Sequence, residues 1–231
     1  MNDRESSTAL HHLAPAVRDY RLFLERGYPE STLKKVVGDR HRLSGEERLI
    51  LFRGVATEET DRSRNRKILS PDELSGKPLA VDFYNVAFTI LNYRLGRPVF
   101  RATDGYLRDA GALHGRLGRE SRLDWVLTPL IETLLSYGPG EVVFYLDSPV
   151  SHSGDHARSL KQICARYGRP HWRAEVVPSA DYPLRRNRSA LIATGDSAII
   201  DECTTGVVDL AALVLKERFD LQPPDLASLL G

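Results

Sequence analysis

Three aspartates stand at positions where catalysis could use them. Asp82 ends the apolar run Pro78-Leu-Ala-Val, Asp147 ends Glu141-Val-Val-Phe-Tyr-Leu, and Asp196 ends Ser189-Ala-Leu-Ile-Ala-Thr-Gly. Each run reads as a buried strand. In an open parallel sheet the strand C-termini share one edge, and ligands bind in the crevice outside it. Carboxylates gathered there repel one another, and a proton or a hard cation relieves the repulsion. Mg²⁺ or Mn²⁺ suits such oxygen donors and keeps several waters. A cation held this way can activate water and neutralise a phosphate. The competing reading is that each Asp only caps the turn after its strand. Three in equivalent places favour a site, with Asp82, Asp147 and Asp196 as the metal-binding and catalytic carboxylates.

The flanking residues supply further groups. In Asp82-Phe-Tyr-Asn85-Val, Asn85 either orients Asp82 and a metal-bound water or closes an Asx turn. In Thr194-Gly-Asp196-Ser197, Thr194 can fix the loop and Ser197 can cap the next helix, while Asp201 is either a further carboxylate or, the reading slightly favoured, a solvated helix residue. The link Asp147-Ser-Pro-Val-Ser-His-Ser-Gly154 offers Ser148, Ser151 and Ser153 at a helix N-terminus, a cradle for phosphate or an ordinary cap. Between Arg101 and Arg122, glycines at 105, 111, 115 and 118 argue against one continuous helix. Arg108 and Arg116 in that stretch are candidates for phosphate, which guanidinium binds in bidentate fashion. Asp109 is the first choice for a fourth carboxylate and Asp104 the second. His114 reads as a hydrogen-bonded structural histidine.

The elements that must position these residues follow from hydrophobic period and punctuation. Apolar residues at helical spacing mark Ala16 to Arg26 and, after Gly27-Tyr-Pro29, Ser31 to Val37, stopped by Gly38. Ser44-Gly-Glu-Glu47 is a capping box opening a helix through Arg53. Glu58 to Lys67 is charged and without period, so it reads as a loop. Ser70-Pro-Asp-Glu73 is a second capping box. From Leu79 onward strand-like and helix-like runs alternate. Pro98 to Ala102 is a short strand, residues 123 to 135 a core-facing helix, Gly154 to Tyr167 a helix, Trp172 to Val177 a strand and Val207 to Phe219 a helix. Such alternation implies βαβ units and a parallel sheet flanked by helices. The expected fold class is therefore α/β, with a helical N-terminal region over 1–75 and the α/β domain over 76–231.

Composition narrows the class of protein but not its chemistry. The 231 residues are 42% hydrophobic and 27% charged with a net charge of +1, so bulk charge neither demands nor forbids a nucleic-acid partner. Two cysteines outside any CxxC pair argue against a structural zinc site. The polar N-terminus lacks the apolar core of a signal peptide, and no apolar stretch reaches membrane-spanning length. These features lead to the expectation of a cytoplasmic protein with no membrane partner. Oligomeric state stays open, and a homo-oligomer is admissible.

The D-x-x-N-V element, the mid-sheet Asp and the T-x-D element together resemble the PIN and NYN nuclease superfamily. The chain as a whole resembles an uncharacterised prokaryotic family, domain of unknown function 434. That likeness rests on the elements at Arg26 to Pro29 and Arg42 to Val55, on D-F-Y-N-V, R-D-A-G-A-L-H-G and L-D-S-P-V-S-H-S-G, and on A-T-G-D-S-A-I-I-D. The nuclease resemblance implies a Rossmann-like, PIN-like sheet and Mg²⁺- or Mn²⁺-dependent phosphodiester cleavage, usually of RNA. By position Asp82 and Asp196 match its first-strand and T-x-D carboxylates, and Asp147 its mid-sheet Asp. Phe88 to Tyr93 lacks the acidic residue usual on the helix after the first strand, and Asp109 is the candidate replacement. The expected function is thus metal-dependent hydrolysis of RNA phosphodiesters, with Arg108, Arg116 or Ser151 steadying the phosphate. The alternative is a non-catalytic RNA- or nucleotide-binding protein on the same fold. Phosphotransfer through an aspartyl nucleophile fits less well, since the residues two past Asp82 and Asp147 are Tyr84 and Pro149. A basic face of Lys34, Lys35, Arg40, Arg42, Arg48 and Arg53 could suit a helix-turn-helix. Asp39, Glu46 and Glu47 dilute it, which favours a helical cap instead.

Overall fold

Runs of apolar residues without polar alternation belong in the middle of a sheet covered on both faces. Leu79-Ala-Val-Asp82 is such a run, and all four residues are buried. The structure, a computed structural model, describes residues 10–111 and 123–231. Among these the chain passes through α1 (Ala14–Glu25), α2 (Glu30–Arg40), α3 (Gly45–Gly54), α4 (Glu58–Asn65), β1 (Leu79–Asp82), α5 (Phe83–Arg94), β2 (Val99–Arg101) and β3 (Leu107–Asp109). It continues through α6 (Asp124–Tyr137), β4 (Val142–Asp147), α7 (Ser153–Arg166), β5 (Arg173–Val177), α8 (Asp181–Arg186), β6 (Leu191–Ala193), α9 (Ser197–Glu202), β7 (Val207–Val208) and α10 (Leu210–Phe219). Two compact units share the chain. One gathers Met1–Arg66, Gly96–Ala112 and Leu221–Gly231, the other Lys67–Leu95 and Leu113–Asp220.

In the first unit α1, α2 and α3 enclose a core of Leu13, Val17, Tyr20, Leu33, Val37, Ile50 and Leu51, joined by Phe100, Leu226 and Leu229. The C-terminal tail is tied to β2 by backbone bonds, Arg101 N–H to the Pro224 carbonyl and Leu226 N–H to the Arg101 carbonyl, both 2.9 Å. The Ser44 capping box forms as expected, with the Ser44 amide 2.7 Å from Glu47 Oε2. α2 does not stop at Gly38 but runs on to Arg40. The Arg48 guanidinium lies against Gly38, and a Cβ there would fall 2.4 Å from Arg48 Nη1, so the guanidinium would have to shift to admit one.

The segment expected to be a loop, Glu58 to Lys67, is helical as far as Asn65. Thr57 caps it by accepting from the Thr60 amide, and its inward face carries polar groups in place of an apolar stripe. Asp61 pairs with Arg21 and accepts from the Thr103 hydroxyl. Arg64 reaches Asp104 at 3.1 Å.

The second unit is the α/β layer. Five parallel strands lie in the order β5-β4-β1-β6-β7, a Rossmann-like sheet flanked by helices. α6 packs against α5 and α10, and α7 packs against α6 and β5. Asp82 is level with Tyr145 of β4, so Asp147 projects two residues further along its strand. The helix expected from Val207 begins only at Leu210. Val207 and Val208 pair with Ile192 and Ala193 as an edge strand, and the Asp209 carboxylate then caps α10 by accepting from the Ala212 amide. Lys67 donates to the Ile200, Asp201 and Cys203 carbonyls at 2.6–3.1 Å, a cation on the carbonyls that end α9.

A carboxylate-lined candidate site

The connections out of β1 part company in the sheet. The chain builds β4 and β5 on one side of β1, then crosses over to lay down β6 and β7 on the other. The switch in direction falls between β1 and β6, where an open sheet leaves a crevice beyond its strand ends. Asp82 closes β1, and Thr194-Gly-Asp196 follows β6.

Asp82 is only 6% exposed. Burial pushes its carboxyl up to about 7; the Thr194 hydroxyl opposes this, the charges of Asp196 and Asp147 add to it, and the Asn85 amide opposes it again. Thr194 is the hinge of the arrangement. Its hydroxyl donates to Asp82 Oδ2 at 2.8 Å and accepts from the Asp196 amide at 3.0 Å. Asn85 Oδ1 accepts from the Gly195 amide at 2.6 Å. Of the two roles open to Asn85, the one observed is a bond to backbone, fastening the first turn of α5 to the loop after β6.

Asp147 and Asp196 are each fixed through one oxygen. The Ala180 amide donates to Asp147 Oδ1 at 2.9 Å, and the Ala198 amide donates to Asp196 Oδ1 at 2.7 Å. Asp196 itself, rather than Ser197, therefore caps α9. Among the described residues no hydrogen bond falls on Oδ2 of either.

A fourth carboxylate joins them that the sequence reading passed over. Asp181 opens α8, which packs against β1. Burial pushes its carboxyl up, Asp196 adds to this, Arg185 opposes it and Asp147 adds again. The same two aspartates thus act on both Asp82 and Asp181. Arg185, 3.2 Å from Asp181, is the one cation paired with any of the four among the described residues. The signal available was position: Asp181 is the first carboxylate beyond β5, four residues past the strand end. Tyr84 and His156 were also missed. They meet at 3.0 Å, both buried, and burial together with the Asp147 charge drives the Tyr84 phenol well up.

Two other residues proposed from the sequence have partners of their own. Asp109 belongs to the N-terminal unit, where Arg53 donates to its carbonyl at 2.9 Å and its own Oδ1 accepts from the Gly111 amide at 2.9 Å. Arg108, in the same unit, is buried with its fork on Asp104 at 2.7 and 2.8 Å. That fork is engaged by a carboxylate that is 1% exposed, so the role of steadying phosphate does not carry over to it. Arg116 and His114 lie outside the described residues. Ser148 and Ser151 are exposed and Ser153 is buried, donating to the Ser148 carbonyl at 3.4 Å. No side chain caps α7, whose N-cap is His152 at φ +67°.

The donor set is all oxygen, anionic and almost unpaired, which fits a hard divalent cation and not zinc. Among the described residues no group of three or more His, Cys, Asp or Glu is disposed to hold a metal ion directly.

A family model for a domain of unknown function, DUF5616, matches residues 71–213. The chain belongs to the DUF5616 family. All four aspartates fall inside the DUF5616 match. A model for a protein of unknown function, DUF434, matches residues 12–67. The DUF434 likeness expected over the whole chain is thus found over the N-terminal helices, and DUF5616 takes up the sheet. An uncharacterized protein of Methanocaldococcus jannaschii, MJ0935, is 28% identical over 200 residues, covering 85% of this chain and 93% of its own. No solved structure matches. Among the described residues no helix is long and apolar enough to cross a membrane.

Proposed function

We propose that the DUF5616 region is a divalent-cation-dependent phosphodiester hydrolase acting on RNA. The observation that carries this reading is Asp82, buried at the switch point with its carboxyl near 7 beside Asp196 and Asp147 and without a cation paired to it among the described residues. Strong perturbation by burial and by like charge in a crevice is characteristic of functional carboxylates.

Asp147 and Asp196 would hold a hydrated Mg²⁺ or Mn²⁺, and Asp82 and Asp181 would complete the negative field around it. When bound, the ion supplies charge neutralisation to the phosphate and acidity to water. The chain's own contribution is orientation. Thr194 sets the Asp82 carboxyl, the Asn85–Gly195 bond sets the loop that carries Asp196, and the Ala180 amide sets Asp147. Burial raises the Asp82 carboxyl to about 7, so near neutral pH a proton there would compete with the ion.

A second reading, a non-catalytic RNA- or nucleotide-binding protein, is favoured by the want of a three-ligand group among the described residues. Incubating a labelled single-stranded RNA with Mg²⁺ or Mn²⁺ separates the two. Hydrolysis predicts cutting by the wild type and a loss of about 100-fold or more in Asp82→Asn and Asp196→Asn, both still folded. RNA binding without cutting supports the second reading, and equal cutting by all three proteins overturns the site.

A further inference from the structure

The acidic crevice has a neighbour of opposite character on α8. Tyr182 follows Asp181 directly and is 63% exposed, the most open large hydrophobic side chain among the described residues. The Arg186 guanidinium lies over its ring at 4.3 Å and donates to its hydroxyl at 2.5 Å. Arg188 donates to the Arg185 and Asn187 carbonyls at 2.7 and 2.9 Å, which ends α8 and fixes that side chain as well. Arg185 is neutralised by Asp181 and Glu202. Arg186 and Arg188 have no acidic partner among the described residues. An aromatic ring that is 63% exposed, with a guanidinium over it, therefore stands next to Asp181 with two cations that have no acidic partner among the described residues.

We infer that Tyr182, Arg186 and Arg188 form a platform for a single-stranded stretch of RNA, one base stacking on the Tyr182 ring and the adjoining phosphates resting on the two arginines. The inference rests on the proposed hydrolysis for its choice of RNA and names where the strand runs. The chemistry argues for a single strand. An exposed ring can stack only on a base whose face is free, and in a duplex every internal base face is already covered by its neighbours. Arginine adds bidentate bonds to phosphate and makes binding dependent on salt. A lysine pair without the ring would bind duplex equally well. Here the ring is already oriented by Arg186, so little side-chain freedom is lost when a base settles on it.

The test is fluorescence anisotropy with a labelled 12-nucleotide RNA, the same sequence as DNA, and the RNA annealed to its complement. EDTA is present so that nothing is cut. Single-stranded RNA is expected to bind more tightly than the duplex, with affinity falling as salt rises. Tyr182→Ala should weaken single-strand binding about ten-fold or more, Tyr182→Phe should restore it, and Arg186→Ala with Arg188→Ala should flatten the salt dependence. Unchanged affinity in Tyr182→Ala, or duplex bound as tightly as the single strand, overturns the platform. DNA bound as tightly as RNA overturns the choice of RNA. Parallel cleavage assays keep the two readings apart. A wild type that binds through Tyr182 but cuts nothing sinks the hydrolysis and leaves the platform standing, whereas cutting that ignores Tyr182→Ala does the reverse.

Discussion

The Thr194 hydroxyl donates to Asp82 Oδ2 at 2.8 Å while accepting from the Asp196 amide at 3.0 Å, so one side chain couples the carboxylate that ends β1 to the loop that presents Asp196. Thr194 is 1% exposed, and water has little access to either bond.

Thr194→Val keeps the shape and removes the hydroxyl. Asp82 then loses the strongest influence opposing its protonation, and its carboxyl should titrate above the wild-type value of about 7. The Asp196 amide loses its acceptor. A cost of roughly 1–3 kcal/mol is expected for the unsatisfied buried groups. Urea unfolding at pH 8 measures the cost. A midpoint equal to wild type would mean that the bond does not exist.

Asp82→Asn should stabilise the protein, and the gain should depend on pH. The folded-state value near 7 lies above the ordinary 3.8. Between those values the folded chain keeps a proton that the unfolded chain has released, so stability falls as pH rises from about 4 to about 7 and stays low above that. At about 1.4 kcal/mol per unit the penalty is a few kcal/mol. Scanning calorimetry at intervals from pH 4 to 8.5 should show the variant melting several degrees higher at pH 8.5, with the advantage shrinking toward pH 4. A constant offset would contradict the burial argument.

Arg108→Ala should harm stability and spare the chemistry. Among the described residues it leaves Asp104 buried with Arg64 and the Tyr106 amide as its side-chain partners. Breaking a buried pair typically costs about 3–5 kcal/mol, with Arg64 placing this case at the lower end. Arg108→Lys should recover only part of it, because one ammonium cannot reproduce the fork. The urea midpoint should drop while cation binding by the remaining folded protein is unchanged. A normal midpoint with impaired RNA cutting would restore Arg108 to a catalytic role.

The contrast between Asp82 and Arg108 shows what was legible beforehand. Asp82 and Asp147 could be read because a buried strand leaves an uninterrupted apolar run, and a carboxylate at its end stands out. Thr194 and Asp196 followed from the same logic. Asp181 could not be read this way, because β5 is a half-exposed edge strand and the carboxylate comes four residues after it, on a helix too short to show a period. α4 escaped because its inward face is ionic rather than apolar. β7 merged with α10, since Val207 and Val208 continue the apolar pattern of the helix that Asp209 starts. Arg108 was read as a candidate to hold phosphate, whereas its fork is taken up by Asp104 four residues earlier. DUF5616 and DUF434 divide the chain near residue 70, where the texture of the sequence also changes.

Binding of Mn²⁺ alone, followed by titration calorimetry at pH 6.5 and 8.5 in buffers of different ionisation enthalpy, tests the central claim most directly. The carboxylate crevice should bind Mn²⁺ in the wild type and release a substantial fraction of a proton at pH 6.5 and almost none at pH 8.5, because the ion displaces the proton on Asp82. Asp82→Asn should bind more weakly and release none. Absence of Mn²⁺ binding, or binding and proton release that are the same in Asp82→Asn, would contradict the account.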